Sequence, residues 1–211
     1  MRRTRRGLIL LLSGPAGAGK TTLSRRLCEA RADCVLSISA TTRPPRGREK
    51  DGVEYFFLSP EAFEARAAQG GFAEHAEFCG HRYGTPEAFL EEKTRQGRNV
   101  VLDIEVKGAA RIRRRHPDAV MIFLLPPTPE VLVERLLGRG TETRAEAARR
   151  METARNEILR MEEYDYCIVN DDLERAFQAL GSIVESETHR IRGGECDAWL
   201  GGRDPSEVLK V

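Results

Sequence analysis

The nine residues GPAGAGKTT at 14–22 constrain the fold more than any other stretch of the chain. They fit G-x-x-x-x-G-K-[ST] through Gly14, Gly19, Lys20 and Thr21. An apolar run, LILLLS at 8–13, precedes them, and Leu23, Leu27 and Ala30 follow at helical spacing. A strand that turns through glycines into a helix presents backbone amides at the helix N-terminus, where the dipole favours an anion. Lys20 would bridge phosphates and Thr21 would hold magnesium. The loop Gly14, Pro15, Ala16, Gly17, Ala18 and Gly19, with Lys20, Thr21 and Thr22, is therefore the candidate triphosphate site. The plainer alternative is a glycine-rich turn with a chance lysine, and the flanking strand, the spacing and the helix all stand against it.

Short apolar runs recur at CVLSIS (34–39), NVVLDI (99–104), AVMIFLL (119–125) and DYCIVN (165–170), each read as one strand. Amphipathic stretches lie between them, among them one with Ala147, Met151, Ala154, Ile158 and Met161 on one face. Near-continuous apolar strands alternating with such helices predict an α/β fold with a doubly wound parallel sheet, covered on both faces. SPEAF at 59, TPEAF at 85 and TPEVL at 128 each combine an N-cap hydroxyl, a first-turn proline and an acid. Helices should start at about 60, 86 and 129.

Two stretches break the alternation. Residues 37–95 read as an insert beside the main sheet, with short strands in GVEYFFL and GFAEHAEF flanking the helix at 60–69, and the charge-rich 138–150 reads as a short lid. The core then comprises 1–36 and 96–190, with an extension at 191–211.

A chain of 211 residues with net charge +1 can bury one sizeable core. The run after MRRTRRG is too short for a membrane span and has no small-residue cleavage site, so no membrane partner is expected. RRTRR reads as a frayed basic end rather than a nucleic-acid contact, since the rest of the chain is not basic. Five cysteines at irregular spacing argue for reduced thiols in the cytoplasm, with Cys28, Cys34 and Cys167 simplest as core residues. His75, Cys79 and His81 match no standard metal spacing.

NVVLDIEVKG ends an apolar strand on Asp103, placed to face the phosphate loop across the sheet's carboxyl edge. Loop and aspartate together point to a nucleoside triphosphate with Mg2+, Asp103 joining Thr21 at the metal through water. In TTRPPRGREKDGVEY, the arginines at 43, 46 and 48 lie on a proline-stiffened loop. Such a loop is either a solvated basic turn or a phosphate site, because guanidinium forks match phosphate oxygens.

SATTRPPRG, then a tyrosine, EHAEFCGHRYGT, GRGTET and IVNDDL, in that order over roughly residues 7–185, resemble the guanylate kinase family. The resemblance implies ATP-dependent phosphorylation of GMP, and of dGMP, in purine nucleotide metabolism, with the insert holding GMP. It implies that Arg43, Arg46, Tyr55 and Tyr83 hold the acceptor phosphate. Ser39, Glu74 and Thr85 would read the guanine, with a contribution from Asp103 or Glu105. Arg135, Arg139 and Arg150, or Arg149 by a one-residue slip, would close on the triphosphate and join Lys20 and Arg43 in catalysis. Asn170 would lie near the donor adenine or cap the next helix.

Independently of the family, a guanine edge offers two adjacent donors that one carboxylate can accept, which favours guanine over adenine beside an acid. Thr85 stands where the family usually has serine, and it is also the expected N-cap of the helix at Pro86. Glu105, Val106 and Lys107 replace an aspartate, tryptophan and glutamine common in bacterial members. Residues 191–211, with the lone Trp199, have no place in the pattern. Two other readings are a non-catalytic phosphopeptide-binding module of the same fold and a sugar-phosphate kinase. Whether the chain is a monomer or a homo-oligomer stays undecided.

Overall fold

The computed structural model describes residues 6–78, 80–137 and 144–191. Five parallel strands form the main sheet: β1 (Ile9–Ser13), β2 (Cys34–Leu36), β7 (Asn99–Asp103), β8 (Val120–Leu125) and β9 (Tyr166–Val169). Their spatial order is β2-β7-β1-β8-β9. The apolar run of β1 is buried throughout because its two faces feed two cores. Leu10 and Leu12 pack with Leu23 and Leu27 of α1 (Lys20–Ala30) and Leu180 and Val184 of α7 (Leu173–His189). Ile9 and Leu11 pack with Leu90 of α3 (Glu87–Arg95) and with Ala109 and Ile112 of α4 (Val106–Arg115). Alternate residues of a strand point to opposite faces, so a strand covered on both sides must be apolar at every position.

A second sheet, ordered β4-β3-β6-β5, stands beside the first. Its strands are β3 (Ser39–Thr41), β4 (Tyr55–Phe57), β5 (Phe72–Phe78) and β6 (His81–Pro86). Helix α2 (Pro60–Ala68) closes it, with Phe63 stacked on Phe72 at 4.4 Å between ring centroids and Ala40 beneath. On the far side of the main sheet, α5 (Pro129–Leu137) packs through Leu132 and Leu136 onto Met151, Ala154 and Ile158 of α6 (Arg144–Ile158).

Several sequence expectations are corrected. CVLSIS is not one strand: β2 stays in register with β7 as far as Leu36, the Ser37 amide still bonds Val101, and the chain then crosses to the second sheet as β3. Ser59 and Thr128 cap their helices as expected, accepting from the amides of Ala62 and Val131. Thr85 does not: it belongs to β6, α3 begins at Glu87, and the Thr85 hydroxyl is spent on Glu74. The insert has four strands rather than two, since β3 and β6 are too short or too polar to show alternation. Met161 leaves the α6 face for a 3-10 turn at Met161–Glu163. Cys167 lies exposed on the edge strand β9, not in the core. Arg139, Cys79, residues 138–143 of the expected lid and residues 192–211 of the expected extension fall outside the described residues.

Candidate active site

The phosphate loop leaves β1 at the centre of the sheet, the point where the strand order reverses and where open α/β sheets place their ligands. Gly19 ends it as the N-cap of α1 with φ +96° and no side-chain cap. A Cβ at Gly19 would sit 2.2 Å from Nδ2 of Asn170, so both the backbone angle and the space demand glycine. The first-turn amides of α1 are therefore not met by a capping side chain, which suits them to an anion.

Three side chains hold the loop's carbonyls. Lys20 Nζ donates to the oxygens of Gly14 (2.6 Å) and Pro15 (3.3 Å), Arg135 donates to Gly17 (3.0 Å), and Asn170 donates to Ala18 (2.8 Å). Carbonyl and amide of one peptide plane point in opposite directions, so fixing the Ala18 oxygen also fixes the Gly19 amide. Asn170 is thus a brace of the loop; the cap of α7 is Asp172, which accepts from the Arg175 amide. Removing the brace strands a buried carbonyl. Asn170→Ala should lower the free energy of unfolding by about 1–3 kcal/mol in a urea titration, and an unchanged midpoint would show that the bond contributes nothing.

Register between β1 and β7 pairs Leu12 with Asp103. That places the carboxylate beside the helix start, where Thr21 Oγ1 donates to Asp103 Oδ2 at 2.5 Å. A hydroxyl and a carboxylate side by side are hard oxygen donors of the kind a small divalent cation takes from protein, the remaining ligands being water and phosphate. Among the described residues no cluster of three or more His, Cys, Asp or Glu could hold a metal by itself. Glu157 of α6 faces Lys20, and burial raises its carboxyl above the usual range.

A cleft of about 550 Å³ opens next to this corner. Of the residues expected at an acceptor site, Ser39, Tyr55, Glu74, Tyr83, Thr85, Asp103 and Glu105 all line it. A register shift between Phe72 and Glu74 sets Glu74 directly opposite Thr85 on the neighbouring strand, and the Thr85 hydroxyl donates to Glu74 Oε1 at 3.0 Å. Burial raises the Glu74 carboxyl above its ordinary value, with the Thr85 bond and the charge of Arg111 opposing the rise. Tyr55 and Tyr83 meet edge to face at 6.1 Å.

The loop arginines are placed differently. Arg43 is buried, and its guanidinium lies 5.4 Å over the Tyr55 ring at the rim of the cleft. One of its nitrogens donates to both oxygens of Glu49 (2.9 and 3.0 Å), and another donates to Pro44 O. The pair holds Glu49 below the usual carboxylate range and Arg43 above its own. Arg46 gives its backbone amide to Glu49 at 2.7 Å, and its side chain is exposed. Neither arginine is among the residues lining the cleft. Arg150 lies partly buried on α6. Glu49, Ser37, Glu77, Gly108 and Arg111 complete the region without having been singled out from the sequence, together with Lys107, noted there only as a departure from the family pattern. Only Glu49 carried a local signal, an acid in the same short loop as the arginines it holds.

A triphosphate loop and a second, acid-lined cleft, meeting at Asp103 on the carboxyl edge of a doubly wound sheet, define a P-loop phosphotransferase of the nucleoside monophosphate kinase class. The family model for guanylate kinase matches residues 5–187. Guanylate kinase of Myxococcus xanthus is 48% identical over 185 residues, covering 87% of this chain and 88% of that protein. The enzyme of Syntrophotalea carbinolica is 48% identical over 183 residues, 87% of each. The crystal structure of guanylate kinase from Anaplasma phagocytophilum superimposes with a TM-score of 0.69 at 33% identity, covering 88% of both chains. The chain belongs to the guanylate kinase family.

Proposed function

We infer that the chain transfers the γ-phosphoryl group of ATP to GMP, giving ADP and GDP. The observation that carries this reading is the meeting of two sites at Asp103. Its carboxylate accepts from Thr21 of the phosphate loop, and it also lines the cleft in which Glu74 and Thr85 lie. In this reading an acceptor phosphate and a donor triphosphate are bound on either side of Asp103 and transfer is direct. A phosphate oxygen of GMP attacks the γ-phosphorus while the bond to the β–γ bridging oxygen breaks. The protein's share is placement and charge neutralisation.

In this reading the loop from Gly14 to Thr22 cradles the triphosphate, and Lys20 and Arg135 neutralise it. The insert, residues 37–95, carries the acceptor. Glu74 accepts from the two guanine donors; Ser39 and Thr85 add hydroxyls, and Glu105 lies beside them. Arg43, Arg46, Tyr55 and Tyr83 take the phosphate, Arg43 giving up one Glu49 oxygen to do so. Arg139 and Arg150 belong to the lid that excludes water. Mg2+ fits the Thr21–Asp103 pair, and it would supply positive charge to the β- and γ-phosphates. The family in general needs a divalent metal with ATP. A cytoplasmic location accords with the irregular cysteine spacing; among the described residues no helix is long and apolar enough to cross a membrane.

An assay of ADP release with GMP, dGMP, AMP or no acceptor tests the reading. GMP-dependent ADP production supports it. Release equal with and without acceptor, or none at all, would remove it and favour a binding module.

A further inference from the structure

Glu74 is the acid that the family resemblance puts first at the base, with Asp103 or Glu105 contributing, yet its setting works against the charge it needs. It is half-buried, and burial favours the neutral form. A protonated carboxyl offers one acceptor fewer to a guanine edge. Glu105, in the loop after β7, raises the Glu74 carboxyl further, and Glu77 of β5 and Asp103 at the end of β7 line the same cleft. Among the groups facing Glu74, His75 is its neighbour on β5, Thr85 donates from β6, and Lys107 and Arg111 come from α4.

Helix α4 is fitted to this carboxylate. Gly108 lets its backbone approach, since a Cβ there would lie 3.3 Å from Glu74 Oε2 and 2.8 Å from Ile104. One turn further along the same face stands Arg111, which donates through NH1 to the carbonyl of His75, the residue next to Glu74 on β5. Glu74 and Arg111 both also line a second cavity of about 410 Å³ behind the strand, so together they form the wall between the two spaces. Arg115, a turn further along α4, braces the start of the same strand through the Phe72 carbonyl, but of the two arginines only Arg111 also lines the cleft that Glu74 faces.

We propose that Arg111 is a positioning residue for base recognition, pinning β5 beside Glu74 through the His75 carbonyl and bringing a positive charge to the wall that the two residues share. This deepens, and rests on, the reading of the cleft as the guanine site. An opposite charge nearby lowers a carboxyl pKa, so removing Arg111 must raise it, and the acid side of the activity profile must move towards neutrality.

The test pairs a pH profile with a direct titration. Arg111→Gln removes the charge, and Arg111→Lys keeps it. In Arg111→Gln the acid limb of kcat/KM for GMP should move to higher pH, with the KM for ATP unchanged; Arg111→Lys should return the limb towards wild type. The Glu74 carboxyl 13C shift, followed against pH with no nucleotide added, should show the same displacement. Arg111→Met, which keeps the stem, provides the comparison should the glutamine variant not fold. A Glu74 titration identical in wild type and Arg111→Gln, or a loss of activity equal at every pH, overturns the proposal. The functional reading fails by a different sign, a wild-type protein that phosphorylates no GMP.

Discussion

Lys20→Ala should lower kcat by about a thousandfold or more while the protein unfolds at nearly the wild-type urea concentration. The two halves of that expectation come from different features of the structure. Lys20 opens α1, and its ammonium reaches the carbonyls of Gly14 and Pro15 rather than any apolar core. The α1 residues that carry packing are Leu23 and Leu27, which the substitution leaves alone. Alanine is also a good helix former, so the backbone has little reason to change. Charge is another matter. In phosphoryl transfer the moving group spreads negative charge over its oxygens, and a fixed cation there acts where water has been excluded. Arg135 is engaged with the Gly17 carbonyl, a different part of the loop from the Gly14 and Pro15 carbonyls that Lys20 holds. Steady-state kinetics beside a urea titration decide the matter: turnover near wild type would take Lys20 out of the mechanism, and a collapsed midpoint would make it a structural residue.

What was legible in the sequence was whatever is written locally. The phosphate loop is a contiguous string whose glycines answer to backbone angles and to a single close neighbour, so reading it needs no knowledge of the fold. The strands of the main sheet showed as apolar runs, most completely β1, because a strand covered on both faces must be apolar throughout. Failures occurred where a residue's partner lies elsewhere in the chain. Leu36 and Ser39 belong to one alternating run, yet they pair with Val101 and Tyr55 in different sheets. Thr85 has the sequence of a helix cap, but antiparallel pairing sets it opposite Glu74, and a carboxylate competes well for its hydroxyl. Cys167 sits in an apolar run and is nonetheless exposed, because β9 is an edge strand covered on one face only. Arg111 was hidden in RIRRR, where a solvated helix face is the ordinary reading. Its bond to the His75 carbonyl, beside Glu74, separates it from Arg113 and Arg115, whose bonds go to Ala119 and Asp165 and to Phe72.

Arg43 shows how a correct residue can still have an incomplete role. Its place beside Tyr55 agrees with a phosphate site, but the carboxylate of Glu49 already occupies the guanidinium. Glu49 on one guanidinium nitrogen and the Pro44 carbonyl on another hold the side chain in a fixed orientation. On the proposed reading, binding GMP exchanges one anion for another, and Glu49 sets how tightly the phosphate must compete.

The second large effect separates phosphate recognition from base recognition. Arg43→Ala should weaken every nucleoside monophosphate alike, since the phosphate is common to them all. Glu74→Gln should not. Thr85 donates to Glu74 Oε1, so the glutamine carbonyl will take that bond and turn its NH2 towards the base. The guanine donors then meet a donor, and kcat/KM for GMP should fall by about 2–4 kcal/mol, roughly thirty- to several-hundredfold. AMP presents an acceptor at the same edge and should lose little. Comparing kcat/KM for GMP and AMP in both variants gives the answer directly. Equal losses for the two acceptors in Glu74→Gln would make Glu74 a structural residue of β5, and the selection of guanine would then fall to Ser39, Thr85 and Asp103.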